Sequence, residues 1–316
     1  MKTDIPASLS GMEHFLAIRD LDPTALADLI DFCIRRKKQF LDGNLKPMLQ
    51  GKVLAMIFQK ASLRTRLGFE AAMVQLGGHA IHLEDHQVGL TKREDVRDVA
   101  RVISSMCDAI MARVFGHQLV IELARFSRVP VINGLSDFSH PCQALSDLTT
   151  IQEKLGRLAG LKVAYIGDAN NVARSLRNGC VMMGVHFAIA APRDYQFSKG
   201  DLETAHLLAG KSGASLTQTA APAEAADGAD VLYTDVWTSM GQENESRQRE
   251  KTFADYQLNA GLLRRAKPTA LVMHCLPAHR NMEITDEVID GPQSVIFDQA
   301  ENRLHCQRAL LELLME

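Results

Sequence analysis

Five consecutive residues, Ser62-Leu63-Arg64-Thr65-Arg66, follow an apolar run at 53–58 and open an amphipathic stretch at 63–76. The pattern predicts a strand, a short turn and then a helix. A helix start presents unbonded backbone N–H groups and the positive end of the peptide dipole. Ser62 and Thr65 add hydroxyls, and Arg64 and Arg66 add guanidinium forks that match phosphate oxygens. Taken alone, the segment reads equally well as a Ser-capped helix with a solvated basic turn. It is not a P-loop, because the glycines and the Gly-Lys-Ser/Thr ending are missing. Two further strand ends carry groups of the same kind. Arg113 closes the run 109–113, where packing alone would place Ile or Val, and a charge there needs a partner. After the run 129–133, Ser139-His140-Pro141-Cys142-Gln143 puts His140 and Gln143 at the start of a helix opened by Pro141. Each feature has an ordinary reading as a cap or a packed charge. Their coincidence points to a shared anion.

A second group of strand ends suits an amino acid. After 162–166 comes Gly167-Asp168-Ala169-Asn170-Asn171-Val172. Only the first glycine of a dinucleotide fingerprint is present, which argues against a nicotinamide cofactor. The two asparagine amides fit a carboxylate, although an Asn/Asp-rich turn is common without one. After 231–234 comes Asp235-Val236-Trp237-Thr238-Ser239-Met240-Gly241. Asp235 can pair with an ammonium group. Ser239 and the backbone of the turn can hold a polar head, and Gly241 permits close approach or a hinge. The alternative is an exposed turn with a solvated carboxylate. The run 270–274 leads into His274-Cys275-Leu276-Pro277, again polarisable groups at a strand end, with packing as the plain alternative.

Short apolar runs alternating with amphipathic stretches must position these groups. A first helix spans 23–40, with Asp22 as N-cap and Pro23 at its first turn. Strands are expected at 53–58, 80–83, 109–113 and 129–133, with helices at 63–76, 94–106 and 118–127 between them. A helix at 141–155 leads to strands at 162–166, 186–190, 215–219, 231–234, 270–274 and 294–297, and a last helix at 299–314 crosses back. The predicted class is α/β: two domains, each a parallel-sheet α/β sandwich, joined by two interdomain helices. The first domain is residues 1–139, with the C-terminal helix 299–316 packing back on it, and the second is 140–298. The polar stretch 242–251 reads as an exposed, mobile loop. Ligands in such sheets bind beyond the carboxyl ends of the strands, where the candidate residues fall.

The bulk numbers agree. A length of 316 residues exceeds one ordinary core. With a net charge of −3, nothing argues for a general nucleic-acid or membrane-binding surface, so phosphate affinity must be local. The first residues lack the apolar core of a signal peptide, and no run approaches the length of a membrane span. Cys33, Cys107, Cys142, Cys180, Cys275 and Cys306 are scattered without a CxxC pair, which fits reduced thiols in a cytoplasm better than a disulfide framework or zinc site.

Taken together, Ser62-Leu63-Arg64-Thr65-Arg66, His140-Pro141-Cys142-Gln143, Asp235-Val236-Trp237-Thr238-Ser239-Met240-Gly241, His274-Cys275-Leu276-Pro277 and Ala300-Glu301-Asn302-Arg303 resemble the aspartate/ornithine transcarbamoylase family, in its motif order and over nearly the whole chain. The Asp-x-x-x-Ser-Met-Gly and His-Cys-Leu-Pro pieces resemble its ornithine-using branch. The resemblance implies carbamoyl transfer from carbamoyl phosphate to the δ-amine of L-ornithine, giving citrulline and phosphate, in arginine biosynthesis or, reversed, in arginine catabolism. It implies that Ser62, Leu63, Arg64 and Thr65 cradle the phosphate, and that Arg113, His140 and Gln143 hold the carbamoyl group. Arg303 completes that site, and Gln87 reaches it from a neighbouring subunit of a homotrimer. Asn171, Asp235, Ser239 and, through its backbone, Met240 hold ornithine. Cys275 and Leu276 lie beside the reacting amine and the carbamoyl amide. Arg113, His140, Cys275 and Thr65 are the implied catalytic set. No cofactor or metal is expected, and no nucleic-acid or membrane partner.

The chain departs from the family pattern at Gln59, Ala61 and Leu63, where Glu, Pro and Thr are usual, and at Asp95, where Ser is usual. None of these changes removes a charged group that the chemistry needs. Other acceptors (putrescine, an acylated ornithine, aspartate) and a catalytically silent binding relative are the competing readings. The silent relative would be expected to lack Arg64, Arg113, His140 or Arg303, and all of them are present.

Overall fold

The structure, a computed structural model, describes residues 5–91, 93–210, 212–238 and 243–316. Helix Pro23–Leu41 (α1) opens the first regular region, and the Asp22 side chain caps it by accepting from Ala25 N–H at 2.9 Å. Strands Val53–Phe58 (β1), His79–Glu84 (β2), Ala109–Arg113 (β3) and Val131–Leu135 (β4) form a four-stranded parallel sheet in the order β2-β1-β3-β4. Parallel neighbours require crossovers. Helices Leu63–Gln75 (α2), Val96–Met106 (α3) and His117–Phe126 (α4) supply them. Ile57, Val99, Ala100, Ile110, Ala112 and Leu123 pack together in the core of this unit.

Helix Pro141–Leu155 (α5) follows. Strands Lys162–Ile166 (β5), His186–Ala190 (β6), Leu216–Thr219 (β7), Val231–Thr234 (β8) and Leu271–His274 (β9) form a five-stranded parallel sheet in the order β7-β6-β5-β8-β9. Between them lie helices Asn171–Met182 (α6), Lys199–Ala209 (α7), Pro222–Ala226 (α8) and Ser246–Phe253 (α9). Ile166, Leu232, Trp237, Phe253, Leu258, Ile284 and Val288 form its core. The chain ends in helix Ile296–Met315 (α10).

The two sheets share one topological property. In the first, the chain moves outward from β1 to β2 and then returns to the other side of β1 as β3. In the second it does the same around β5, with β8 as the returning strand. A crevice opens beyond the carboxyl ends at such a reversal, because the two crossovers leave on opposite faces. Register places Phe58 beside Arg113 at the first reversal and Ile166 beside Thr234 at the second.

The compact units are Met1–Thr149 with Glu301–Glu316, and Thr150–Ala300. These divisions fall inside α5 and α10; the sequence pattern placed them at 139/140, just before α5, and at 298/299, within α10. Three local expectations change. The strand expected at 129–133 lies at Val131–Leu135, because Asn133 is a buried strand residue whose amide donates to Leu16 C=O at 2.9 Å. The strand expected at 294–297 is absent; Ser294 makes one bridge to Val272 and helix starts at Ile296. A short apolar run does not distinguish a strand from a buried helix start. The expected loop 242–251 is overlapped by α9 from Ser246 onward, whose Arg249 and Phe253 are buried; residue 242 lies outside the described residues. The inward-facing side here is anchored by a guanidinium, which hydrophobic periodicity does not register.

Within the first unit, α10 carries Glu312 against Arg36 of α1, at 2.6 Å, with both side chains nearly fully buried. Burial pushes the Glu312 carboxyl above the usual range despite the facing Arg36. The pair is therefore a poor source of net stability, while removal of one partner strands the other. Arg36→Met is expected to lower the unfolding free energy by about 3 kcal/mol, and Arg36→Met with Glu312→Leu to recover most of it. Urea titrations of the single and double variants measure this. Equal midpoints for the two would show that no charge is stranded.

Candidate active site

At the first reversal, β1 runs through residues 59–62 into α2. Ser62 is the N-cap: its Oγ accepts from Thr65 N–H at 3.3 Å and donates to Thr65 Oγ1 at 3.0 Å. Thr65 is fully buried, and its Oγ1 also accepts from Arg303 Nη2 at 2.8 Å. Arg303 Nη1 donates to Gln143 Oε1 at 3.0 Å, and Gln143 Nε2 donates to Asp147 at 2.8 Å. One guanidinium thus ties the starts of α2 and α5 to α10. Arg113, at the end of β3, and His140, just before α5, are both buried. Burial holds the His140 imidazole well below its ordinary pKa, and the charges of Arg303, Arg113 and Arg64 depress it further. At neutral pH His140 is an uncharged ring among cations, able to donate one N–H to a carbonyl oxygen without competing for a proton.

The structure thus brings together Ser62, Arg64, Thr65, Arg113, His140, Gln143 and Arg303. Leu63, the first residue of α2, is 72% exposed, and at that position the backbone N–H is the group that can serve an anion. Gln87 does not join this cluster within one chain. It is exposed, and its side-chain oxygen accepts from Glu84 N–H at 2.8 Å, closing a capping box on its own short turn. Gln59 earns a role that the motif did not suggest: its amide donates to Asp85 at 3.0 Å and accepts from Phe115 N–H at 3.0 Å. It joins the ends of β1, β2 and β3 without adding a negative charge beside the anion site.

At the second reversal, Gly167 takes φ +143°, a conformation that side chains resist. It turns the chain toward Asn170, which caps α6 by accepting from Val172 and Ala173 N–H. The Asn170 amide donates to Asp235 Oδ2 at 2.9 Å, and the Cys275 thiol donates to Asp235 Oδ1 at 2.9 Å. Asp235 and Cys275 are buried, and Asn171 is half-buried at the first turn of α6. Leu276 follows Cys275 with φ +56° and a cis bond to Pro277. Ser239 and Met240 lie outside the described residues. An amide and a thiol converge on one carboxylate here, and that carboxylate is the group able to pair with an ammonium.

Asp168 and Arg249 belong to this centre and were not singled out as binding residues from sequence, whereas Asn170 was, as one of two amides suited to a carboxylate; here it caps α6 and holds Asp235. Arg249 Nη2 donates to the Asp168 carboxylate and its Nε to the Trp237 carbonyl, while its guanidinium lies 4.6 Å over the Tyr195 ring. Burial raises the Asp168 carboxyl pKa; Arg249 opposes that shift and Asp235 adds to it. Asp168 lies in the quoted segment 167–172 and was within reach of the pattern; Arg249 sat in a stretch without periodicity. Asp235, His274 and Cys275 each present a possible metal-ligand atom within 4.8 Å of one another. Both His274 nitrogens are engaged, however: Nδ1 accepts from Leu276 N–H and Nε2 faces Glu283. A cation would have to break that arrangement.

Comparisons with known proteins agree on one lineage. A family profile described as "Aspartate/ornithine carbamoyltransferase, carbamoyl-P binding domain" matches residues 13–153, and one described as "Aspartate/ornithine carbamoyltransferase, Asp/Orn binding domain" matches residues 159–314. The chain is 49% identical over 315 residues to an ornithine carbamoyltransferase of Bacillus subtilis, covering 100% of this chain and 97% of that one. It is 53% identical over 273 residues to an anabolic ornithine carbamoyltransferase of Pyrococcus furiosus, covering 86% of this chain and 87% of the relative. The solved ornithine carbamoyltransferase of Pyrococcus furiosus superposes with a TM-score of 0.93 at 48% identity, covering 96% of this chain and 97% of that chain.

His140 gives a pH test of the anion site. Its folded pKa lies below the value of about 6.5 expected when unfolded. The unfolded chain therefore binds more protons below that pH, and the contribution to stability is complete above about 6.5 and declines as pH falls. His140→Asn is expected to remove one proton's worth of this slope, about 1.4 kcal/mol per pH unit. Denaturant unfolding of both proteins between pH 7 and pH 5 measures it. Identical slopes would mean that His140 is not held neutral.

Proposed function

The chain belongs to the aspartate/ornithine carbamoyltransferase family, and on that premise we propose that it transfers the carbamoyl group of carbamoyl phosphate to the δ-amine of L-ornithine, giving L-citrulline and phosphate. The observation that carries this reading is the chemical match at the two sheet reversals. One gathers cations, hydroxyls and a neutral imidazole; the other gathers a carboxylate, an amide and a thiol. The names of the relatives that span the chain support ornithine as the acceptor and citrulline synthesis as the direction.

Ser62, Arg64, Thr65 and the N–H of Leu63 cradle the phosphate of carbamoyl phosphate. Arg113 bridges phosphate and carbamoyl oxygen, and His140 and Gln143 hold the carbamoyl oxygen and amide. Arg303 keeps Thr65 and Gln143 in place. Gln87 of a neighbouring subunit completes the pocket. Asn171, Asp235, Ser239 and the Met240 backbone bind the α-amino and α-carboxylate groups of ornithine, and Cys275 and Leu276 border the reacting amine.

The δ-amine must be uncharged to attack, so it first releases one proton to the solvent. Its lone pair adds to the carbamoyl carbon, and the carbonyl π electrons move onto oxygen. Thr65, Arg113 and His140 stabilise that oxyanion by charge and hydrogen bonds already in place. The tetrahedral adduct collapses by breaking the carbon–oxygen bond to phosphate. The leaving phosphate keeps the electron pair and takes the surplus proton of the attacking nitrogen, and the helix end, Arg64 and Arg113 balance its charge. Positioning of the two reactants supplies much of the acceleration.

The protein works as a homotrimer assembled through its first unit. Strand β2 is a sheet edge, and Val74 at 70% and Ile81 at 46% exposure leave apolar surface beside it. All six cysteines are thiols, and no helix among the described residues is long and apolar enough to cross a membrane. The thiol state of the cysteines supports a reducing cytoplasm.

Purified protein with carbamoyl phosphate is expected to carbamoylate ornithine faster than putrescine, N-acetylornithine or aspartate, by product analysis. Preference for another acceptor would overturn the reading of Asp235. Arg113→Ala is expected to lower turnover by about 100- to 1000-fold with the fold intact by circular dichroism; near-normal turnover would remove Arg113 from the mechanism. Light scattering should give three times the 34.8 kDa chain mass, and Val74→Glu with Ile81→Glu should dissociate it. A monomeric wild type would sink the trimer.

A further inference from the structure

A backbone N–H can only donate. The Leu276 N–H points at His274 Nδ1 from 2.8 Å, so that nitrogen carries a lone pair. A neutral imidazole with its lone pair on Nδ1 bears its proton on Nε2, and Nε2 lies 3.1 Å from Glu283 Oε1. A second ring proton would set Nδ1–H against the Leu276 N–H and break the contact. The arrangement therefore selects one ring form, and the fully buried Glu283 carboxylate is the group that selects it. The same Oε1 accepts from His279 N–H at 2.6 Å, and the His279 ring approaches Oε2 at 4.0 Å. Glu283 is thus bound to the far side of the turn that His274 opens.

What this braces is Leu276 at φ +56°. In that left-handed region the Cβ of an ordinary residue crowds the backbone, so surrounding contacts must hold the conformation. The neighbouring residue is Cys275, bonded to Asp235. We infer that His274 and Glu283 are positioning residues, Glu283 fixing the proton on His274 Nε2 so that Nδ1 holds the Leu276 amide and sets the Cys275–Leu276 backbone. The inference rests on the reading that these two residues border the reacting groups.

Two substitutions of His274 separate its two hydrogen bonds while removing the same ring. His274→Asn places an amide oxygen where Nδ1 stood and keeps an acceptor for Leu276. His274→Gln places its amide near Nε2 and keeps only the contact with Glu283. With ornithine and carbamoyl phosphate, His274→Asn is expected to hold kcat within about tenfold and His274→Gln to lose about 100-fold, the scale of a misplaced reacting group. The KM for ornithine should move less than kcat in both, since Asp235 and Asn171 lie outside the turn. Glu283→Gln, whose amide oxygen can accept both bonds, should stay near wild type, and Glu283→Leu should follow His274→Gln. Equal losses in the two His274 variants, or an unchanged kcat in Glu283→Leu, would overturn the inference. Long-range proton–nitrogen spectra of the histidine-labelled wild type read the ring form without any turnover: a proton on Nε2 of His274 supports the inference and one on Nδ1 overturns it. A wild type that forms no citrulline would bring down the functional reading instead, and the spectra would still decide the ring form.

Discussion

A buried guanidinium must find oxygen acceptors, because it keeps its proton and its N–H groups are costly to leave unbonded away from water. Arg303 meets that requirement with Thr65 Oγ1 and Gln143 Oε1. These are the residues at the starts of α2 and α5, where backbone N–H groups lack intrahelical partners. The first unit's cluster of cations and hydroxyls follows from that constraint. Three helices separated widely in sequence are drawn to one point, and burial there, with the charges of Arg303, Arg113 and Arg64 added, holds the His140 pKa well below its ordinary value.

The second unit solves an analogous problem with the signs arranged differently. Asp235 is buried, and a buried carboxylate needs donors. Asn170, Cys275 and the Val236 N–H provide them, each from a segment that follows or adjoins a strand end. Arg249 balances the neighbouring Asp168 and at the same time binds the Trp237 carbonyl, so the segment leaving β8 is tied to the segment leaving β5. The electrostatic partner and the backbone anchor are one side chain.

The departures from the family pattern are informative in this setting. Gln59 keeps the hydrogen-bonding reach of a carboxylate but carries no charge, and it spans Asp85 and the Phe115 amide. Leu63 contributes an exposed side chain at a position where the backbone N–H is the useful group. The charged and hydroxyl-bearing residues Ser62, Arg64 and Thr65 beside them are kept.

Much of this was legible in the chain alone. Alternating apolar and amphipathic stretches specify two parallel-sheet units, because period and length are local properties of sequence. Arg113, His140, Asp235 and Cys275 stood out because polar groups at the ends of apolar runs are costly unless used. The expected strand at 294–297 and loop at 242–251 did not survive, since a four-residue apolar run fits either a strand or a helix start, and α9 is anchored by Arg249 rather than by an apolar stripe. Only the tertiary structure decided which donors meet which acceptors: Arg303 with Thr65, Asn170 with Asp235, Glu283 with His274. Residue type and spacing state that a charge needs a partner. The partner itself is chosen by strand order and crossover direction, which bring together groups that no local pattern relates.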